Sequence, residues 1–481
     1  MAPSSRLEQA VQKLTDKVDL DAVERQVDVA EEFERVFALQ DENRFDQAFE
    51  RSATLVRQTQ GKLRESAREL AIFSLEQFVA MAFTDEQMSA ARRMMRSWLE
   101  IEPGDVVVTL TLHDFSIPET PDEEQVSDSH LDAMFRKHPH AVEARVEYLA
   151  IYLPALSFVN RLNAMKELEQ VWRSLPEMDW EAVANTHHVV GTFRELLSMT
   201  CYMLHTQSAR RAFDRKRQEL NEGIRQFGLE IDLYPDWIPP NRSERASSQQ
   251  ENALLKAIDV NWIVKAIEDS QVVEQIVNWG REGNWKKVYH QLYPFERWKT
   301  RPFARIFRKF LNRAFSNLTD VFELDFRRES IAGIRRYLQQ WKDFNPDSAV
   351  PLAREALLLR AEQRFVEAME PIEAALKLSP RSPDVLVESA LLHYAVGNRE
   401  QTAELLERAW RHLPEMEWAL DPTFSWLQDV FDALIALTAA LIHEVLGERN
   451  EAKELLKDGI AILEQAPLCK DRLRAINQQA C

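Results

Sequence analysis

Three prolines in the last third of the chain, Pro346, Pro380 and Pro414, follow one another at intervals of 34 residues, and this interval constrains the fold more than any other feature. The same kinds of side chain precede each proline at fixed offsets. Ile334, Ala368 and Thr402 stand twelve residues before, Leu338, Ile372 and Leu406 eight before, and Trp341, Ala375 and Ala409 five before. Steps of four and three residues place each trio on one face of a helix. Proline then stops that helix, because it lacks an N–H and disfavours helical geometry in the residue before it. A unit of this length holds two short helices and their turns. Neither helix can hide its apolar stripe alone, so each pair must lean on the next.

The pattern resembles the tetratricopeptide repeat, whose small, large, small and proline positions fall at these offsets. The best match is residues 349–382, AVPLAREALLLRAEQRFVEAMEPIEAALKLSPRS, and the next unit follows with Gly397-Asn398 at its turn. A later unit is expected from Ala433, with Gly447 at the turn and Ala452 at the small position. The N-terminal third is more degenerate. Pro103, Pro139 and Pro176 follow Met95, Leu131 and Leu168 by eight residues, and Ala91 and Ala164 hold the small position. RFDQAF at 44–49 echoes RFVEAM at 364–369, which aligns Ala48 with Ala368. The likeness is specific over 349–416, moderate over about 40–211 and 433–465, and weak over 212–345. It implies an all-α fold, a right-handed α-solenoid of helix pairs with irregular insertions, that docks a protein or peptide on its surface. Some members grip a partner's C-terminal carboxylate with lysines and asparagines on their first helices. The matching positions here, Ala353, Leu357, Val387 and Leu391, are apolar, so that clamp is not expected.

A longer correspondence joins distant parts of the chain. WRSLPEMDW at 172–180 matches WRHLPEMEW at 410–418, and the same offset pairs Leu168 with Leu406, Phe193 with Phe431, Thr200 with Thr438, His205 with His443 and Arg211 with Arg449. A multi-repeat block is therefore inferred to have been duplicated. Each copy of the motif runs into an irregular stretch before the next helix.

The expected organisation is a block of degenerate repeats over 1–233, a linker or exposed loop at 234–250 (YPDWIPPNRSERASSQQ), a basic and aromatic helical middle over 251–345, and the C-terminal repeats over 346–481. Adjacent prolines and serines mark the linker. A repeat-like turn is read at Gly283-Asn284-Trp285. An amphipathic helix is expected in the first forty residues, capped by Asp21 with Glu24 three residues on, and striped by Val23, Val27, Ala30, Phe33 and Phe37. Residues 106–112, VVVTLTL, are strand-like in composition, but the repeat phase makes them helix. Residues 116–129 read as a polar loop.

Composition narrows the remaining classes. Only 11 glycines occur, too few for the phosphate-cradling loops and tight hairpins of nucleotide-binding α/β or all-β folds. The net charge of −18 disfavours adhesion to nucleic acid or membrane, yet basic side chains outnumber acidic ones over 201–350. Cys201, Cys469 and Cys481 form no CxxC pair, which points to a reducing, cytoplasmic setting. The apolar run Ala433 to Ile442 is too short to span a bilayer, and no membrane partner is expected. His130, His138, His140, His187 and His188 lack metal-ligand spacing. His205 and His443 fall in apolar stretches, as structural histidines do, and an enzyme using one of them in the bend of the solenoid is the last of three readings. Catalytic motifs are absent, and no cofactor or metal is expected, so the reading is a scaffold or adaptor rather than an enzyme.

One stretch stands out as a candidate site. FERWKTRPFARIFRKFLNRAF at 295–315 carries Arg297, Lys299, Arg301, Arg305, Arg308, Lys309 and Arg313 among aromatic residues that include Trp298. On a helix from Pro302, Phe303, Phe307, Phe310 and Ala314 share one face, and Arg301, Arg305, Arg308 and Asn312 another. Two readings stand side by side. The stretch is an ordinary amphipathic helix whose arginines pair with acidic neighbours, or it is a docking surface, helped by Arg327, Arg328, Arg335 and Arg336. Arginine's planar fork suits carboxylate and phosphate alike. An acidic protein segment is the first choice of partner, and nucleic acid the lesser one. The run Arg210, Arg211, Arg215, Lys216 and Arg217 reads as a solvated face.

Overall fold

The computed structural model describes residues 3–82, 84–114, parts of 133–153, 161–178, 180, 185–233, 248–319, 331–415, 417–420 and 424–446. Among them the backbone is helical, with no extended strand, and no helix is long and apolar enough to cross a membrane. In chain order the helices are α1 (Pro3–Thr15), α2 (Leu20–Asp41), α3 (Phe45–Gln58), α4 (Gly61–Ala80), α5 (Asp85–Ile101), α6 (Val106–Asp114), α7 (Arg161–Ser174), α8 (Thr186–Met203), α9 (Gln207–Arg225) and α10 (Ser248–Ala257). They continue with α11 (Val260–Arg281), α12 (Trp285–Leu292), α13 (Ala304–Leu318), α14 (Ile331–Phe344), α15 (Ala349–Ala361), α16 (Phe365–Leu378), α17 (Pro383–Ala395), α18 (Arg399–His412) and α19 (Phe424–Leu446). The chain divides into two compact units, one made of residues 1–85 with 315–481 and one of 86–314. The first unit thus joins the first helices to the last ones, a grouping that linear order does not announce.

In the first unit α14 packs on α15, and each helix from α15 to α18 then packs on its successor. All nine side chains at the offsets before Pro346, Pro380 and Pro414 are buried, from Ile334, Leu338 and Trp341 to Thr402, Leu406 and Ala409. Pro346 and Pro380 occupy the corners between helices, and Pro414 sits in a short 3₁₀ turn, Leu413–Glu415. Ala48 and Ala368 are wholly buried, as the echo between their segments requires. α1 packs on α18 and α19, α2 on α19 and α3, and α3 on α4. The cap of α2 differs from expectation. Asp19, not Asp21, caps it, accepting the Ala22 N–H at 2.9 Å. Its stripe also ends early, since Phe37 is 49% exposed while Val36 is wholly buried.

Four helix pairs, α2–α3, α11–α12, α15–α16 and α17–α18, turn in the same way. A residue with positive φ stands in each turn: Asn43 at 58°, Gly283 at 70°, Gln363 at 61° and Gly397 at 83°. The next N–H reaches back to a carbonyl of the first helix, Arg44 to Leu39 at 2.8 Å, Asn284 to Trp279 at 2.8 Å, Arg364 to Leu359 at 2.9 Å and Asn398 to His393 at 2.8 Å. This is the Schellman closure, which satisfies carbonyls that the helix end would leave bare. The two non-glycine versions carry the same side-chain support. Arg44 pairs with Glu42 and Gln47, and Arg364 with Glu362 and Glu367.

The duplicated motif has duplicated geometry. The Trp172 indole N–H donates to the Thr200 hydroxyl at 2.9 Å, and Trp410 donates to Thr438 at 3.0 Å. Each threonine hydroxyl in turn donates to the carbonyl four residues back, at 2.7 Å in both copies. Leu-Pro-Glu forms a 3₁₀ turn at Leu175–Glu177 and again at Leu413–Glu415. Trp180 then lies against Phe193 at 5.3 Å with the rings tilted by 31°, and Trp418 meets Phe431 at 6.0 Å edge to face, at 84°. The copies also differ at the indole N–H of this tryptophan. The Trp180 N–H donates to the Leu175 carbonyl at 2.9 Å, whereas the buried Trp418 N–H meets no acceptor among the described residues.

In the second unit α7 packs on α8 and α10, and both α8 and α9 pack on α11, which carries α12. The buried Glu251 of α10 ties these together by accepting from the Thr206 N–H at 3.1 Å and the Thr206 hydroxyl at 2.6 Å, at the start of α9. Burial drives its pKa upward, but these hydrogen bonds and one from the His205 N–H prevail and hold it below the usual glutamate range. The strand-like 106–112 is helix, as the repeat phase requires. Asp105 caps it through the Val108 N–H at 3.1 Å, and Val106, Val108 and Leu112 are buried. The expected linker lies outside the described residues except for 248–250, the first turn of α10; the loop at 116–129 and the later unit beyond Gly447 lie outside them too.

Two outcomes check this account. Gln363→Gly should raise the unfolding free energy by about 0.5–1 kcal/mol and Gly397→Ala should lower it by about 1 kcal/mol, because only glycine takes positive φ without steric cost; urea midpoints read both. Trp172→Phe and Trp410→Phe should each destabilise by about 1 kcal/mol through loss of the indole bond, and unequal effects would show that the copies are not energetically alike.

Candidate functional site

Between Arg297 and Thr319 the sequence contains no acidic residue and seven basic ones. The structure sorts those seven by environment. α13 begins at Ala304, and its inner face is made by Phe303 just ahead of it, then Ile306, Phe307, Leu311, Ala314 and Phe315, all buried. Phe310, expected on that face, is only half-buried, because the stripe runs through the i+4, i+7 and i+8 positions of Phe307 and leaves its i+3 position at the edge. Phe303 joins an aromatic cluster in which Trp180 lies 6.1 Å from it, 5.3 Å from Trp262 and 5.3 Å from Phe193. The tryptophan that closes the first copy of the duplicated motif therefore also seats the start of α13.

With that face inward, Arg305, Arg308, Lys309 and Arg313 are exposed, and Asn312 lies half-buried between them. Positions 305 to 313 span about 12 Å of helix. The Arg313 guanidinium stands over the Trp285 ring at 5.4 Å, and Lys287 over Trp279 at 5.8 Å. Exposed Lys286 lies beside them. Trp285 also lies against Gly280, where a Cβ would come within 3.1 Å of the ring. The basic face thus continues from α13 onto the turn between α11 and α12. Trp285 was read from sequence only as part of the turn, and Trp279, Lys286 and Lys287 were not singled out, although two tryptophans flanking a Gly-Asn turn beside two lysines stand in the sequence.

The other three cations serve the fold. Arg301 turns inward, with its Nε 2.7 Å from the Asp269 carboxylate and its Nη2 2.7 Å from Glu268. It also stands 5.7 Å over the ring of buried Trp298, which lies 4.6 Å from Phe307. Arg297 covers the same indole at 5.2 Å and donates to the Gln291 carbonyl, and Lys299 pairs with Glu296. The reading of an amphipathic helix whose arginines pair with acidic neighbours describes Arg301, and α13's outer face is a basic strip. Of the supporting arginines, Arg335 pairs with Glu362 and Arg336 stands over Tyr337, both on α14 in the other unit, while Arg327 and Arg328 lie outside the described residues. In the run on α9, Arg210 donates to the Leu204 carbonyl and Lys216 to that of Ile258, so those two are tied to the fold.

Asp269 is the group that sequence reading missed most completely. It is wholly buried in the middle of α11, and burial pushes its pKa up to about 6 against the pull of Arg301. Burial also opposes the Arg301 charge, but Glu268 and Asp269 outweigh it and raise that pKa. His205 and His443 stand exposed rather than inside apolar packing, and among the described residues no group of His, Cys, Asp and Glu side chains could hold a metal ion.

A carboxyl group whose pKa rises on folding adds stability when protonated and loses it as pH climbs through the folded-state value. Between pH 4 and pH 7 Asp269 should therefore lower the unfolding free energy by roughly 3 kcal/mol at most. Asp269→Asn should flatten that part of the profile of urea midpoint against pH, and an unchanged slope would show that the carboxylate is already ionised in the fold.

No protein-family model matches the sequence, and no characterised protein matches it.

Proposed function

We propose that the chain is a binding module, a tetratricopeptide-like solenoid of helix pairs, that docks an acidic segment of a partner protein on the outer face of α13. The observation that carries the reading is the strip of Arg305, Arg308, Lys309 and Arg313, exposed on a helix without acidic residues whose opposite face is fixed in the core. A rigid helix holds these cations at helical spacing, so an incoming carboxylate meets positioned donors rather than searching side chains. The repeat part of the reading is supported by the buried stripes before the three prolines and by the four like turns.

Nucleic acid is the alternative, since phosphate suits the same forks. Two features weigh against it. Single-stranded nucleic acid is held largely by bases stacked on aromatic rings, and here the chain's own Arg313 and Lys287 stand over the Trp285 and Trp279 rings. The net charge of −18 also repels a long, densely charged phosphate polymer more strongly than a short acidic segment.

The test is the triple variant Arg305→Glu, Arg308→Glu, Arg313→Glu. Arg301 is left intact, because its loss would strand a buried carboxylate. A fluorescein-labelled glutamate-rich 15-residue peptide should bind the wild type in fluorescence anisotropy and bind the variant at least about tenfold more weakly. Equal binding to both proteins would remove the strip from consideration. Tighter binding of a thymidine 15-mer than of the peptide, with affinity falling steeply in salt, would favour the nucleic-acid reading.

A further inference from the structure

The first compact unit holds a counterpart of the helix that carries the basic strip. α2 and α11 correspond at an offset of 240 residues, Leu20–Asp41 with Val260–Arg281, and the elements after them keep that offset. Asp19 caps α2 through the Ala22 N–H at 2.9 Å, and Asp259 caps α11 through the Trp262 N–H at 3.1 Å. The turns match too, with Asn43 and Gly283 at positive φ. α4 then corresponds to α13, since Leu63, Ala67 and Ala71 are buried as Phe303, Phe307 and Leu311 are. One ring contact is shared in place but not in chemistry. Phe73 lies 6.3 Å from Phe45, edge to face, at the positions where Arg313 lies 5.4 Å over Trp285.

Equivalent helices bring equivalent positions to the surface, and there the charge is reversed. Exposed Arg305 and Lys309 of α13 correspond to exposed Glu65 and Glu69 of α4, and exposed Lys286 on the neighbouring turn corresponds to exposed Asp46. Phe73 is 36% exposed, and exposed Glu76 continues the acidic line beyond it. Arg68 keeps the sign of Arg308, but it is half-buried and off this line. Steps of four residues set the charges about 6 Å apart along both helices. The acidic line therefore matches the basic one in spacing and opposes it in sign, and both are exposed to a second copy of the chain.

We propose that the acidic segment received by α13 is the α4 face of a second copy of this chain. The proposal rests on the reading of α13 as a docking surface for carboxylates and names its occupant. Because the two patches differ, the contact is heterologous, head to tail, rather than one patch paired with itself. The net charge of −18 opposes the approach of two copies. That repulsion is screened beyond about 8 Å at physiological ionic strength, whereas facing carboxylates and guanidinium groups meet within this distance.

Sedimentation velocity of the full-length chain at about 0.15 M salt tests the proposal. The mean sedimentation coefficient should rise with concentration between about 1 and about 200 µM. Two charge-reversed variants, Glu65→Lys with Glu69→Lys and Arg305→Glu with Lys309→Glu, should each weaken association at least about tenfold, since each presents like charge on both helices. Mixed in equal amounts, the two variants should associate again, because the lysines of one meet the glutamates of the other. This restoration also shows that both are folded. A wild type that stays monomeric throughout, variants that associate like the wild type, or a mixture no heavier than its components would each overturn the proposal. A glutamate-rich peptide that binds a monomeric wild type leaves the acidic-segment reading of α13 standing while the second-copy proposal falls. Absence of peptide binding as well removes both.

Discussion

Everything in this molecule depends on one helix approaching the next closely enough for their apolar stripes to exclude water. Ala48, Ala91, Ala164 and Ala368 are wholly buried, and Thr402 holds the same place at the start of α18. A small side chain there brings two helix axes together, and the large residue four positions on fills the space that remains. The turns serve the same contact. By closing on a residue with positive φ, each pair reverses direction within three residues and returns the next N–H to a carbonyl of the first helix.

Polar groups fix what apolar burial leaves loose. The stretch after the second PEMEW motif would otherwise have no register, yet the Leu420 N–H donates to buried Asp384 at 2.7 Å and the Ala419 N–H donates to Ser382 at 2.7 Å. Burial raises the Asp384 pKa, and these hydrogen bonds return only part of that cost. Arg161 plays a related part in the other unit, capping the end of α8 through the carbonyls of Met203 at 2.7 Å and Tyr202 at 3.2 Å. Asp269 and Arg301 join α11 to the start of α13. A carboxylate or guanidinium held in this way is costly to misplace, because an unpaired buried charge is far less favourable than an unpaired methyl. Such groups therefore select one arrangement of helices among the many that would bury similar area.

The candidate site follows from the same division of labour. α13 has a clean amphipathic pattern, and its inner stripe is seated by Trp180, Trp262 and Phe303. The basic residues on its outer face are then displayed by a helix that cannot roll. The cation–π contacts of Arg313 and Lys287 extend this face onto the neighbouring turn and restrict the motion of those side chains.

Local pattern alone determined that the chain is helical, where its C-terminal helices stop, and which side chains of the three proline-spaced units are buried. Each of those properties is decided within a few residues by periodicity and by proline, so a linear reading reaches them. The same holds for the paired tryptophan motifs, because closely similar strings in similar surroundings fold alike. Tertiary structure decided that Arg301 points inward while Arg305 points out, since the acidic partners Glu268 and Asp269 lie on another helix more than thirty residues away. It also decided that α1 rests on α18 and α19. Such outcomes depend on which surfaces meet across tens to hundreds of residues, and contacts at that separation leave no periodic trace in the sequence that makes them.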